Sequence, residues 1–439
     1  MSTVVISVYK VAHFPDGGGH FWVYMQYALG LRRLGCEVYW LEQVRWDGHA
    51  VPEGNLLSSF LERMKRFGFE GKTLLYALDR PSDGGTGSVR FVGCTKSEAE
   101  AVLRRADLLL NFHYAIDPRL LAGVRRTALV DIDPGLLQFW MSSGQLSVAP
   151  HDRYLTTGET VGTPGARFSD CGLHWVHIRP PVCLDLWPFA FDPRAEAVTT
   201  VSSWSSTDWL KVTEGGRTVL RENTKRVAFL EFVELPRHTR QPLELALYLV
   251  DRNRNRARSE QAEKDASDRA RLERHGWRVR DSRDVAGSPE AYRSYVQRSR
   301  GEFSCAKPSC MEFQNAWVSD RTLCYLASGK PVVVQHTGPS FFLPHGDGMF
   351  RFTSLDEAAH ALEEINANYE RHCHAAREIA AALFDAKQVL AAALNVALGS
   401  RAASRESTLG PQSTGTASVP PTPQRPPEWN AEDPRDPKY

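Results

Sequence analysis

The run Ser319-Asp320-Arg321-Thr322-Leu323-Cys324-Tyr325-Leu326-Ala327-Ser328-Gly329-Lys330-Pro331-Val332-Val333-Val334 has the spacing of an anion site. Ser319 suits a helix cap, Gly329 stops the helix, and Pro331 cannot continue it. The β-branched residues beyond read as a buried strand. A helix that starts this way turns unpaired N–H groups and its positive dipole end outward, toward phosphate or carboxylate. Arg321 in the first turn opposes that dipole, so either an anionic partner or a surface salt bridge is expected beside it. Lys307 follows the strand Glu302-Phe303-Ser304 and should emerge near the same helix start. Lys225, just before the apolar run Val227–Leu230 that reads as a strand, is a second candidate cation for a bound phosphate.

A second group of reactive types lies near the N-terminus. Gly17, Gly18 and Gly19 allow positive φ and close backbone approach, and His20 follows them. The dinucleotide fingerprint would need Gly where Trp22 stands, and the chain has no Gly-Lys-Ser/Thr phosphate loop. An unperturbed imidazole titrates near 6.5, which suits His20 as a proton acceptor. Capping the helix or bonding a carbonyl is an equal reading, and His13 is a second imidazole in the loop. Asp131 and Asp133 put two carboxylates on one side of a strand end. They suit orienting His20, holding a substrate hydroxyl, or forming the Asp-Pro-Gly turn. His113, Thr157, Gly158 and Glu159 follow neighbouring strands and are expected to face the same cleft.

These residues need elements to position them. Val4–Tyr9, a helix from about Phe21 to Leu34, and Glu37–Leu41 read as β–α–β, with further strands at 106–111 and 127–132. The Pro-rich stretch Pro180–Pro188 reads as an interdomain linker. A second alternating set follows at Val198–Trp204, Arg226–Val233, Trp277–Val279, Glu302–Ser304 and Pro331–Gln335. Strands alternating with helices imply parallel α/β sheets. The mixed charges of Arg252–Arg283 read as a solvated helix face. Ser354 and Glu357 form a capping box ahead of a helical stretch to about Leu398. From Arg401 the chain is rich in Ser, Pro, Thr and charge, and is expected to be disordered.

A chain of 439 residues suggests about two domains plus extras, at ~150 residues per domain. Lys and Arg total 53 against 52 Asp and Glu, so nothing global points to nucleic acid. None of the eight cysteines forms a Cys-x-x-Cys pair, which fits a reducing cytoplasm and argues against a zinc site. His372 and His374 are two apart and would diverge on a helix, so no metal is expected there. No signal peptide is read, and no apolar run approaches the ~18–20 residues of a membrane span.

The run from Ser319 to Val334 and the glycine loop at 17–19 resemble the two-Rossmann (GT-B) glycosyltransferases. The resemblance implies α/β architecture with two Rossmann-like domains facing an interdomain cleft. Residues 1–180 would be the acceptor domain and 181–375 the nucleotide-sugar domain. A helix at 376–400 would cross back to the first domain, and 401–439 would be a disordered tail. The implied reaction moves a sugar from a nucleotide-sugar donor to a small or oligomeric acceptor, with no cofactor, metal or membrane span. The glycine loop, with Gly18 and Gly19, would face donor sugar and acceptor. In some inverting members a His placed like His20 is the general base, whereas a retaining enzyme needs none. Of the donor-binding residues, Lys225, Lys307 and the helix start at Ser319 and Arg321 would hold the diphosphate, Asp320 would lie at the nucleotide, and His336, Thr337 and Gly338 would face the donor sugar. Many members carry Glu for the ribose hydroxyls where this chain has Cys324, so either Asp320 substitutes or the ribose is held by another group. Two rivals share the architecture: a nucleotide-sugar 2-epimerase and a non-catalytic nucleotide-sugar-binding protein.

Overall fold

The computed structural model of the chain describes residues 1–45, 54–78, 87–205, 209–214, 217–250 and 259–399. The expected disordered tail, 401–439, lies outside the described residues.

The first sheet contains β1 (Thr3–Val8), β2 (Glu37–Gln43), β3 (Thr73–Leu78), β4 (Val89–Val92), β5 (Leu108–Asn111), β6 (Thr127–Asp131), β7 (Arg153–Thr156) and β8 (Trp175–His177). Their order is 4-3-2-1-5-6-7-8, and only the β3–β4 pair is antiparallel. In β1, Val5 lies between Tyr39 of β2 and Leu109 of β5. Val4, Val5, Ile6 and Val8 are fully buried. Near-continuous apolar strands are what a parallel sheet covered on both faces requires.

The second half begins with β9 (Val198–Ser203) and a hairpin of β10 (Trp209–Glu214) and β11 (Arg217–Glu222). It continues with β12 (Leu243–Tyr248), β13 (Arg278–Asp281), β14 (Gly301–Ser304), β15 (Val332–Gln335) and β16 (Met349–Phe352). The sheet order is 13-12-9-14-15-16, all parallel. The order reverses between β1 and β5 in the first sheet and between β9 and β14 in the second. Open α/β sheets bind ligands at such reversals, outside the carboxyl ends of the strands.

One expected strand is a helix. Residues Lys225–Glu231 are helical, in place of a strand over Arg226–Val233. Lys225, Ala228, Phe229 and Phe232 are buried, a spacing of three, one and three that fits a helix face. The unbroken apolar run Val227-Ala228-Phe229-Leu230 masks that period.

The C-terminal stretch is three helices: Leu355–Ala367, Tyr369–Leu383 and Ala386–Leu398. Ser354 caps the first by accepting from the Glu357 N–H, and the Glu357 carboxylate reaches back to the Thr353 N–H at 2.6 Å. Asp385 caps the last. The linker is pinned at this break, because Val182 donates to the Phe384 carbonyl at 2.8 Å and accepts from Ala386 at 3.0 Å. Helix Ala386–Leu398 then lies across helix Gly18–Arg33. Gly30 makes room for it, since a Cβ there would stand 2.4 Å from Leu390. Among the described residues no helix is long and apolar enough to cross a membrane.

Candidate active site

The carboxyl ends of both sheets open on one cleft. From the first half come Gly17, Gly18, Gly19, His20 and Asp133. From the second come Ser202 and Ser203 at the end of β9, Lys225, Lys307, Ser319, Asp320 and Arg321. Ten residues singled out from the sequence therefore line this cleft, five from each half.

The second-half wall is strongly cationic. Ser319 caps helix Asp320–Ala327 by accepting from the Arg321 N–H, so the helix start opens on the cleft. Arg321 reaches back under that start. Its Nε donates to Glu302 at 2.7 Å, one terminal nitrogen to the Val201 carbonyl at 2.9 Å, and the other to the Ser304 hydroxyl. The surface salt bridge expected from the sequence is instead a buried pair with β14. Lys225 is buried, donates to the Cys305 carbonyl, and holds its ammonium 5.3 Å from the Trp317 ring centre. Burial lowers its pKa to about 7, and the nearby Arg321 and Lys307 charges push the same way. Arg321 has Glu302 as its counter-ion, so the buried Lys225 is the cation on this wall that an anion in the cleft would satisfy. Asp320 is pushed up to about 6 by burial. Cys324 faces away from the cleft, with its sulfur accepting from Gln26 at 3.9 Å.

The first-half wall differs from expectation in its imidazole. His20 Nε2 donates to the Tyr9 carbonyl at 2.8 Å, which fixes the tautomer, and Nδ1 is enclosed. Burial, aided by the Lys10 charge, lowers its pKa to about 4 rather than leaving it near 6.5. Asp133 lines the cleft instead with an oxygen acceptor, its Oδ2 taking a hydrogen bond from the Tyr114 hydroxyl at 3.1 Å. Asp131 lies behind it, buried and bonded to Gln138, Thr156 and the Asp133 N–H.

The glycines do a second job. A Cβ at Gly18 would stand 2.4 Å from the carbonyl oxygens of both Ala286 and Ser288, and one at Gly19 would stand 2.9 Å from the Tyr292 ring. The helix start therefore docks directly on second-half backbone, and Trp22 Nε1 adds a bond to the Pro289 carbonyl at 2.9 Å. Gly18→Ala should lower stability by about 1–3 kcal/mol, the usual range for overpacking. A melting temperature equal to that of the native chain would show that the two halves are not locked through this contact.

The remaining candidates stand one layer back. Thr337 accepts from the Ala316 N–H through its carbonyl and donates to the Trp317 carbonyl through its hydroxyl. Gly338 abuts the Gln314 backbone, and His336 Nδ1 accepts from the Gly338 N–H. Thr337 and Gly338 clasp the loop that presents Asn315 and Trp317 to the cleft, and His336 braces Gly338. Thr157 donates to the Asp131 carbonyl, and Gly158 packs under Pro134. Glu159 ties the halves together by accepting from the Ser340 hydroxyl and from the Phe341 N–H. His113 lines a separate cavity. Sequence reasoning missed Asp16, Tyr248, Tyr292, Asn315 and Trp317, which all line the cleft. The polar pair Ser202-Ser203 ending an apolar strand was a readable signal for its own place.

Solved structures share this fold over 90% of the chain. An alpha-glucosyltransferase solved with UDP superposes with a TM-score of 0.55 at 10% identity, over 90% of this chain and 99% of that one. HepE of Anabaena, solved with UDP-glucose, gives 0.52 at 12% identity, over 90% and 100%. The sucrose-phosphate synthase of Thermosynechococcus elongatus gives 0.51 at 11% identity, over 90% and 98%. The fold is GT-B. No protein-family profile matches the chain, and no curated protein matches its sequence. In this GT-B chain the cationic wall belongs to the second sheet and Asp133 to the first, so the two kinds of chemistry face each other across the interdomain cleft.

Proposed function

We propose that the chain is a glycosyltransferase that moves a sugar from a nucleotide-sugar to an acceptor hydroxyl. The observation that carries this reading is the meeting of Lys225, Lys307 and the start of helix Asp320–Ala327 on one wall of the cleft. A diphosphate is the kind of anion that two lysines and a helix start together receive. Asp320 is the carboxylate on that wall for the ribose hydroxyls, since Cys324 is turned to Gln26. In the reaction the acceptor oxygen bonds to the anomeric carbon and the bond from that carbon to the diphosphate breaks. The electron pair leaves on the diphosphate, and the acceptor proton passes to Asp133. His20 acts as a positioning residue through its bond to Tyr9. Two lysines and a helix dipole suffice to hold the leaving group, so no metal is needed. The eight thiols, none in a disulfide, suit a reducing compartment such as the cytoplasm.

Calorimetry with UDP and an assay of UDP release from UDP-glucose test the reading together. Absence of binding by any nucleoside diphosphate would sink it. Binding with conversion of the sugar to an epimer, without an acceptor, would move the chain to the epimerases. Lys307→Ala should weaken UDP binding by roughly 10–150-fold, the loss of one charged hydrogen bond worth ~1.5–3 kcal/mol. Unchanged affinity would remove Lys307 from the diphosphate site.

A further inference from the structure

Behind His20, on the side away from the lysines, a second cavity of about 230 Å³ opens in the first half. It lies at the carboxyl ends of β1, β2, β5 and β6. Asp133, the residue assigned to take the proton, lines both this cavity and the cleft. Its floor is apolar and ringed: Tyr9, Tyr24, Phe112, Val44 and Leu146. Lys10 and Arg45 bring positive charge to the same lining. Both cations also have contacts of their own in the fold; their charge still reaches the cavity. His13 shares this wall, and burial first, then Arg45 and Lys10, lower its pKa to about 4.

The backbone at this point is unusual. Lys10 has φ +55°, the left-handed region, although it is not glycine. Such strain is costly and collects at ligand clamps and functional sites. The bond from His20 to the Tyr9 carbonyl braces the residue just before the kink. The strained kink therefore sets a cation at the cavity, where an apolar floor and a proton acceptor already meet.

We infer that the acceptor is a small hydroxylated molecule with an apolar ring face and an anionic group, carboxylate or phosphate, seated in this cavity. The ring lies against Phe112, Val44 and Leu146, the anion faces Arg45 and Lys10, whose ammonium stands 4.9 Å from the Tyr9 ring centre, and the hydroxyl faces Asp133. This inference rests on the proposed transferase function, which it deepens by naming the acceptor class.

Matched pairs test it on the full chain: 4-hydroxybenzoate against its methyl ester, and glucose 6-phosphate against methyl glucoside. Ligand-observed NMR reads binding whether or not transfer occurs, and UDP release from UDP-glucose reads KM. In at least one pair the anionic member should bind about tenfold more tightly or better. Which pair responds separates a carboxylate on an aromatic ring from a sugar phosphate. Arg45→Ala, on an exposed side chain, and Lys10→Gly, which suits the left-handed backbone, should each shrink that preference while leaving UDP affinity alone. Equal binding of both members in both pairs, no binding by any of the four, or a preference that persists in both variants would overturn the inference. Failure of the native chain to bind any nucleoside diphosphate would instead sink the transferase reading, and the anion preference would remain measurable by NMR.

Discussion

Asp133→Asn is expected to lower turnover about 10²–10⁴-fold, the span of general-base catalysis, with UDP affinity unchanged within about twofold. Amide and carboxylate have the same shape, so the bond from the Tyr114 hydroxyl can persist. Only proton acceptance is lost. His20→Ala should cost less, about tenfold or under, because neither ring nitrogen is open to the cleft. Its loss would show chiefly in the acceptor KM, through the relaxed Tyr9–Lys10 backbone. The pH profile gives a separate reading. Protonation of His20, lowered to about 4, places no acid limb between pH 5 and 7. A limb near pH 6.5 that disappears in His20→Ala would restore His20 as the base. Full activity of Asp133→Asn with retained anomeric configuration would assign the proton to the leaving diphosphate instead.

The difference between these two residues shows how far the sequence could be read. That His20 and Asp133 end up beside one cleft was legible, because each follows a strand near the point where the sheet order reverses. The protonation of His20 was not legible. It depends on burial and on the carbonyl of Tyr9, eleven residues earlier, which the β1 kink turns back toward the ring. Helix Asp320–Ala327 was legible to its boundaries, because a Ser cap and a Gly stop with φ +68° are local devices. The partner of Arg321 was not, since Glu302 sits on a neighbouring strand and only the tertiary fold brings it within 2.7 Å.

Other misses have the same physical origin. Gln314 and Ala316 take φ values of +49° and +57° without being glycine, so the loop that carries Asn315 and Trp317 to the cleft has no turn signature. Bonds from Thr337 and contact with Gly338 hold it there. Those two residues were expected at the donor sugar, and their type and place after a strand gave reason for it. What they contact is backbone from a loop some twenty positions earlier. The triple glycine was legible as a point of close approach. Whether a ligand or the other half of the chain makes that approach is decided by the docking of Ala286 and Ser288.

The second large effect concerns Lys225 and is read as protons. In the free chain its ammonium is lowered to about 7, by burial first and by Arg321 and Lys307 after it. A bound diphosphate favours the charged form and raises that value. The sign follows from linkage. Well below pH 7 Lys225 is charged in both states, and binding takes up no proton. Above pH 7 the free chain has lost the proton, and binding must recover it. UDP affinity should therefore fall as pH rises from 7, approaching tenfold per unit, until the raised value in the complex is reached. UDP itself is fully ionised in that window, since a second phosphate ionisation lies near 6. Calorimetry at pH 8 in buffers of different ionisation enthalpy should show uptake of up to one proton. Lys225→Met keeps the length of the side chain and should abolish the uptake, with affinity lower by roughly 10–150-fold at pH 7. Circular-dichroism melting would confirm that the variant is folded, because the Cys305 carbonyl loses its donor. Undiminished uptake in Lys225→Met would place the titrating group elsewhere on the wall. Affinity independent of pH in the native chain would mean that the diphosphate does not reach Lys225.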